Sequence, residues 1–188
     1  MSDSKPVPAG DPNRHLALEV LEAKLQALPS APKDEGRVVA LFASPGTNQR
    51  IAHERAALTV AGGMPQDRWS EKKNPKPNQQ LATMQEPVAE LLANGQDFSM
   101  FGDNLFLDLD LSTPNLPVGT QLRAGSALLE VTPEPHDGCR KFKARFGSDA
   151  LRLVARKQTR DCNLRGIYLK VIEDGEIAAG DPVRVIRR

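Results

Sequence analysis

The residues best suited to chemistry lie between Glu130 and Phe146, in the stretch EVTPEPHDGCRKFKARF. A thiol, Cys139, follows a loop stiffened by Pro133 and Pro135, neither of which can donate to a strand ladder. His136, Asp137 and Gly138 form the turn before it, and Arg140, Lys141 and Lys143 come directly after. Phe142, Phe146, Ala150, Leu153 and Val154 recur at helical spacing, which predicts a helix with Lys141, Arg145, Arg152 and Arg156 on its solvated stripe. Cys139 then stands at a helix N-terminus, where the partial positive end and the neighbouring cations favour a thiolate. The thiolate is the form of cysteine that attacks and that ligates metals. A free cysteine is more commonly a small buried hydrophobe. The polar loop before Cys139 and the cations after it favour a functional thiol. His136 is three residues upstream, close enough in sequence to act as a base for the thiol or to bind an anion, although one histidine near one cysteine is weak evidence by itself.

The elements that must position this thiol are short strands. Arg37–Ala43, Arg50–Val60, Leu81–Met84 and Ala127–Val131 carry strand composition, and Leu105 to Leu111 alternates leucines with Phe106, Asp108 and Asp110, predicting a half-buried strand with its acids outward. Thr120–Arg123 pairs with Ala127–Val131 through Ala124-Gly125-Ser126. Gly166–Ile172 and Glu176–Ile177 form a second predicted hairpin through Glu173-Asp174-Gly175, and Asp181–Ile186 closes the set. Pro87–Ala93 opens on a proline suited to a first helical turn and stops at Asn94-Gly95. Arg68–Gln80 is polar with two prolines, a loop long enough to suggest a function. Many short strands and few helices predict a mostly β fold, a closed antiparallel barrel with peripheral helices. Residues 1–12 read as a disordered tail, 13–32 as an amphipathic helix and linker, and 33–188 as the barrel domain. The helix, with Leu18, Leu21, Leu25 and Leu28 on one face, is either a clasp on the barrel or an oligomer contact, and the clasp is the plainer reading.

The totals narrow the classes. With 188 residues the chain suffices for one domain, and 4% aromatics predict a mostly aliphatic core. A net charge of +1 argues against a general nucleic-acid binder. The charge is unevenly placed: Arg140 to Arg160 holds eight Lys/Arg and one Asp. A solvated helix face is the usual meaning of such a run, but here the cations bracket the thiol, which points to an anion site. Two cysteines give neither a disulfide framework nor zinc spacing, so both are expected reduced, in the cytoplasm. No apolar leader or membrane-length run is present, so neither export nor membrane insertion is expected.

PEPHDGC and the Lys-Phe pair after Arg140, preceded by GTQLRAGSALLEVT and followed by RGIYLKVIEDGEIAAGDPV, resemble the MOSC domain. GGMPQDRW (Gly62–Trp69) is similar to that family's glycine-rich segment ending in Asp-Arg, and FGDNLFLDL (Phe101–Leu109) to its Gly-Asp/Glu-Asn-Leu segment. The resemblance spans about Gly36 to Val185 with four motifs in order. It implies a barrel that handles molybdenum cofactor or sulfur through Cys139, as molybdenum ligand or persulfide carrier. The cofactor is a pterin bearing a phosphate, so Arg140 and Lys141 at the helix terminus are implied anion holders. Arg68 is implied to grip phosphate or a pterin edge, and Asp67 to bond pterin amino groups or orient Arg68; a structural ion pair is the plain alternative for both. Asn104 is implied at the pterin, against the plain reading of a turn amide. Arg165, in the Arg-Gly segment, is a third anion candidate, while Cys162 has no counterpart and reads as structural or incidental.

Two departures stand out. Gln66 occupies the position before Asp-Arg where the family often has glycine, and NPKPNQQLATM replaces a Gly-Gly-Pro-type segment and a histidine. They mark a divergent subgroup. The implied activities are reduction of N-hydroxylated small molecules, as in relatives that detoxify hydroxylaminopurines, or sulfur transfer. No ferredoxin-like cysteine cluster is present, so electrons are expected from a partner protein. Pyridoxal phosphate is associated with the family through sulfurases, but no domain for it is evident here, so a cysteine desulfurase would also be a partner. The alternative is a non-catalytic binding module that keeps the barrel without loaded cofactor. The sequence sets no oligomeric state.

Overall fold

The computed structural model describes residues 5–6 and 9–188; the tail expected at residues 1–12 lies in part outside these. Among the described residues eleven strands and four α-helices are formed: β1 Lys5–Pro6, α1 Leu18–Gln26, β2 Glu35–Ala43, β3 Gln49–His53, β4 Arg55–Leu58, β5 Leu81–Gln85, α2 Glu86–Ala93, β6 Leu105–Asp108, β7 Gln121–Ala124, β8 Ala127–Val131, α3 Arg140–Phe146, α4 Ser148–Val154, β9 Ile167–Glu173, β10 Gly175–Ala178 and β11 Pro182–Arg187. Seven strands close a ring in the order β2-β11-β7-β8-β9-β5-β6 and back to β2. Closure leaves no bare edge in the ring. The fold is the mostly β closed barrel expected, antiparallel except for one pair: β5 and β6 run parallel, because α2 carries the chain back before β6 begins.

Two apolar layers share the barrel wall. The interior is aliphatic, built from residues such as Val38, Leu41, Leu81, Leu105, Leu107, Leu122, Leu129 and Leu169. The outer layer, under the helices, contains all six phenylalanines together with Leu18, Leu21, Met84 and Leu153. β6 serves both: Leu105 and Leu107 point inward, and Phe106 lies beneath the helices. It is therefore buried on both faces, and only Asp108 and Asp110 are partly open, which corrects the half-buried reading. Phe101 stacks on Phe146 at 4.1 Å, and Phe98 on Phe106 at 4.7 Å. Burying a phenylalanine contributes about 1.5–3 kcal/mol, so Phe142 and Phe146 fix α3 against the Phe101 loop.

Three further expectations are corrected. The single helix after Cys139 is two helices, broken at Gly147 (φ +96), where a Cβ would stand 3.0 Å from the His15 ring. The strand predicted over Arg50–Val60 is split into β3 and β4 at Glu54. β10 does not fold back on β9 but pairs antiparallel with β4, Ile177 opposite Ala56. α1 packs against α2 and α4, and the Pro12–Arg14 3-10 turn packs against α3. His15 Nε2 lies 3.1 Å from the Arg145 carbonyl. The N-terminal segment thus holds the helix that bears the thiol.

Candidate functional site

Cys139 is the N-cap residue of α3, in extended conformation (φ −123, ψ 178), and its carbonyl accepts the Lys143 N–H at 3.0 Å. Its side chain makes no capping bond and the residue is exposed. α3 is only seven residues long, so what it offers an anion is the first-turn N–H groups more than a long dipole. Arg140 and Lys141 are exposed beside the thiol.

Behind this terminus lies the loop entering β6. Gly102 adopts φ +93, and a Cβ there would stand 2.6 Å from Arg50 Nη2. Only glycine suits that conformation easily. Asp103 follows, fully buried, with Arg165 Nη1 donating to both its oxygens at 3.0 and 2.8 Å. The Arg165 guanidinium also lies 5.2 Å over the Phe142 ring. Burial raises the pKa of Asp103, opposed by Arg165 and then Arg50. Arg165, an anion candidate in the sequence, is therefore turned to a buried carboxylate of its own chain.

His136 has its ring buried against Tyr168, centroids 4.5 Å apart. Nδ1 is 3.5 Å from Asp103 Oδ1 and forms no hydrogen bond. Burial, helped by the Arg165 charge, holds its pKa well below 6.5. It is neutral at pH 7, so this contact is no ion pair, and His136 holds no anion by charge. No hydrogen bond joins it to Cys139 among the described residues.

Asp67 and Asn104 form a second lock. Asp67 Oδ2 accepts from the Ser44 N–H at 2.8 Å and Asn104 Nδ2 at 2.9 Å, while Oδ1 accepts from the Trp69 N–H at 2.9 Å. Asn104 Nδ2 also donates to the Phe42 carbonyl at 3.1 Å, and Oδ1 accepts the Ala82 N–H at 3.0 Å. Both are buried and join the end of β2 to the start of β5. Among the described residues Asp67 makes no ion pair with Arg68, the plain alternative for these two residues. Arg68 is exposed, with Nη1 donating to Thr47 Oγ1 at 3.0 Å. Gln66 holds φ +60, which explains why glycine suits this position.

The structure adds two residues that the sequence reading missed. Arg145, taken for a solvated cation, is buried: Nη1 donates to the Met100 carbonyl at 2.6 Å and Nη2 to Asn48 Oδ1 at 3.2 Å. Its place three residues after Phe142 puts it on that apolar face, a signal present in the sequence. Arg50 is half-buried, Nη1 donates to the Gln49 carbonyl at 2.7 Å, and its Nε is buried without a partner. Among the described residues, no carboxylate pairs with either. Burial lowers the pKa of Arg50, and Arg145 and Arg68 lower it further, against Asp103 and Asp67. Burial lowers that of Arg145, and the Cys139 sulfur opposes it. Arg50, Arg68, Arg145 and Cys139 thus share one electrostatic neighbourhood.

The remaining candidates lie elsewhere. Arg152 is paired with Asp149 at 3.2 Å, and Arg156 with Glu22, where a free solvated cation had been expected. Cys162 is exposed at the end of the Lys157–Cys162 3-10 segment. Among the described residues no cluster of three or more His, Cys, Asp or Glu could hold a metal, and no helix is long and apolar enough to cross a membrane.

A family model described as the MOSC domain matches residues 75–184. A crystal structure described as that of a hypothetical protein is 21% identical with a TM-score of 0.62, covering 83% of this chain and 70% of that one. YuaD from Bacillus subtilis is 15% identical with a TM-score of 0.59, covering 79% and 94%. YiiM from Escherichia coli is 22% identical with a TM-score of 0.55, covering 81% and 70%. These likenesses are of fold. No curated protein sequence matches the chain.

Proposed function

The chain belongs to the MOSC domain family, and from that premise we propose that it handles a molybdenum cofactor through Cys139, with Arg50 and Arg145 receiving the cofactor's phosphate. One observation carries this reading: Arg145 is buried and Arg50 half-buried, neither ion-paired with a carboxylate among the described residues, in the electrostatic neighbourhood of an exposed thiol at a helix start. Desolvating a cation without a counter-charge is unfavourable, and an anion arriving there relieves it. The donor set fits the group, since Cys139 offers one soft ligand and the cations suit a phosphate. When bound, the cofactor supplies a metal that exchanges electrons.

The chain's own residues position and exclude. Arg68, Arg140 and Lys141 add exposed cations. Asp67 and Asn104 fix the segment that carries Arg68. His136, neutral, packs on Tyr168 beside Asp103. The reaction class that suits this setting is reduction of an N-hydroxylated small molecule. The N–O bond is cleaved and an amine and water are formed, with two protons from solvent and two electrons from a donor protein.

A second reading, a persulfide carrier, is favoured by the exposure of Cys139, which lets a partner's sulfur reach it. Metal and sulfane-sulfur analysis of protein from a cofactor-competent host, wild type against Cys139→Ser, separates these readings. Molybdenum in the wild type and none in a folded variant supports the ligand role. Metal retained but sulfane sulfur lost supports the carrier. Neither metal nor sulfane sulfur in the wild type leaves a binding module without cofactor. Mass-mapped alkylation should also find Cys139 modified faster than Cys162.

A further inference from the structure

Nine Lys or Arg side chains enter ion pairs among the described residues, and several of those pairs lie on strands outside the Cys139 segment: Arg55 with Glu176, Arg123 with Glu173, Arg184 with Glu35, Arg188 with Asp34. The cations flanking Cys139 enter none. Arg68, Lys72, Lys73 and Lys76 on one side, and Arg140, Lys141 and Lys143 on the other, are all exposed. The two groups share one rim, because the loop carrying the first is bonded to the loop leading to Cys139. Thr132 Oγ1 donates to the Asn78 carbonyl at 2.7 Å, and Gln79 Nε2 donates to Glu134 Oε1. Trp69 Nε1 donates to the Lys76 carbonyl at 3.0 Å and so folds the lysine-bearing bend back on its start. Only Glu71, Glu134 and Asp137 offset these charges within the two loops, and Glu134 is engaged by Gln79.

The rim has charge and no apolar centre. The exposed large hydrophobics, Val20, Val60, Val118 and Ile186, lie in other segments. It also lacks stacking surfaces: Trp69 is buried, Tyr168 lies against His136, and the phenylalanines belong to the layer under the helices. Single-stranded nucleic acid is held by aromatic platforms as well as cations, so this surface does not suit it. A charged rim without an apolar anchor gives rapid, steered, short-lived encounters, the kind made by electron-transfer partners.

We infer that the cationic rim around Cys139 is the docking face for the acidic surface of an electron-carrier protein. The inference rests on the reading of Cys139 as the reaction centre for where electrons go, but not for the contact itself. The contact therefore has its own test. Isotope-labelled, cofactor-free protein is titrated with a strongly acidic flavodoxin, followed by amide chemical shifts. Shifts should gather between Arg68 and Lys76 and between Arg140 and Lys143. Affinity should fall as salt shortens the Debye length below about 10 Å. Lys72→Glu, Lys73→Glu and Lys141→Glu together should weaken binding about tenfold or more, whereas Arg55→Glu with Arg187→Glu should change it by less than about twofold. Absence of salt-sensitive shifts, or shifts centred elsewhere, overturns the inference. So does a single-stranded oligonucleotide that occupies the same residues more tightly than the flavodoxin. Because no cofactor is present, loss of docking with metal loading intact removes only the docking face, and the reverse result removes only the cofactor reading.

Discussion

Arg165 and the Arg50–Arg145 pair lie on either side of the same loop, and they have opposite relations to it. Arg165 is buried against Asp103, whose two oxygens it engages. Arg50 and Arg145 are drawn into the protein by carbonyls and an amide, with no carboxylate for either. A buried cation whose charge is answered inside the fold is architecture. One held by carbonyls and an amide has no ion-paired carboxylate in the fold.

The largest effect should come from breaking the answered pair. Asp103→Asn leaves Arg165 buried and unmatched, and should destabilise the fold by about 3–5 kcal/mol in denaturant titration. Asp103→Leu combined with Arg165→Met should recover much of that loss, since apolar replacement of both partners avoids the stranded charge. If the double variant is as unstable as the single one, the pair does more than neutralise.

The unanswered cations should behave in reverse. Arg50→Gln should leave the melting temperature unchanged or raised, because it removes a desolvated charge facing another. It should weaken cofactor or phosphate retention about ten- to a hundredfold, the effect of losing a charge-assisted bond of about 1.5–3 kcal/mol. An Arg50 variant as destabilised as Asp103→Asn would erase the distinction. Arg152→Ala, which removes a surface pair with Asp149, should alter retention little.

His136 tests how far the Arg165 charge reaches. Its folded pKa is depressed by burial and by Arg165, so the unfolded chain binds the proton more readily. Stability is then full above pH 6.5 and declines as pH falls from there toward the folded value. The decline from this residue should approach about 1.4 kcal/mol per pH unit. His136→Gln should flatten it in part; His53, also depressed by burial, contributes in the same direction. An unchanged acid limb in the variant would show that His136 is not the group responsible.

The smallest expected effect is at Gln66. Its φ of +60 is a strained conformation for a side chain with a Cβ. Gln66→Gly should raise stability by up to about 1 kcal/mol, visible as a small upward shift in melting temperature, with metal loading unchanged.

Much of the barrel was legible from residue order. Ala127–Val131 forms a strand with the boundaries its alternation indicated, and Pro87 and Asn94-Gly95 frame α2 within one residue. What escaped was long-range. Nothing local tells β10 to choose β4 over β9, or β6 to accept a parallel neighbour, because those choices are made by partners far along the chain. Cys139 at a helix start was visible because turn, proline and cation signals are local. The partners of Asp67, Asn104 and Arg165 were not, since a carboxylate that fixes a backbone and one that meets a ligand look alike in sequence. Arg50 had no local signal at all. It is defined by Gly102, fifty-two residues away, whose missing side chain makes room for it.

Strand β11 completes the ring between β2 and β7. Without Pro182–Arg187 the ring stays open, with the β2 and β7 edges bare. Such edges invite pairing with other chains. Truncation before Pro182 should therefore give an insoluble product even though it removes none of the residues around Cys139.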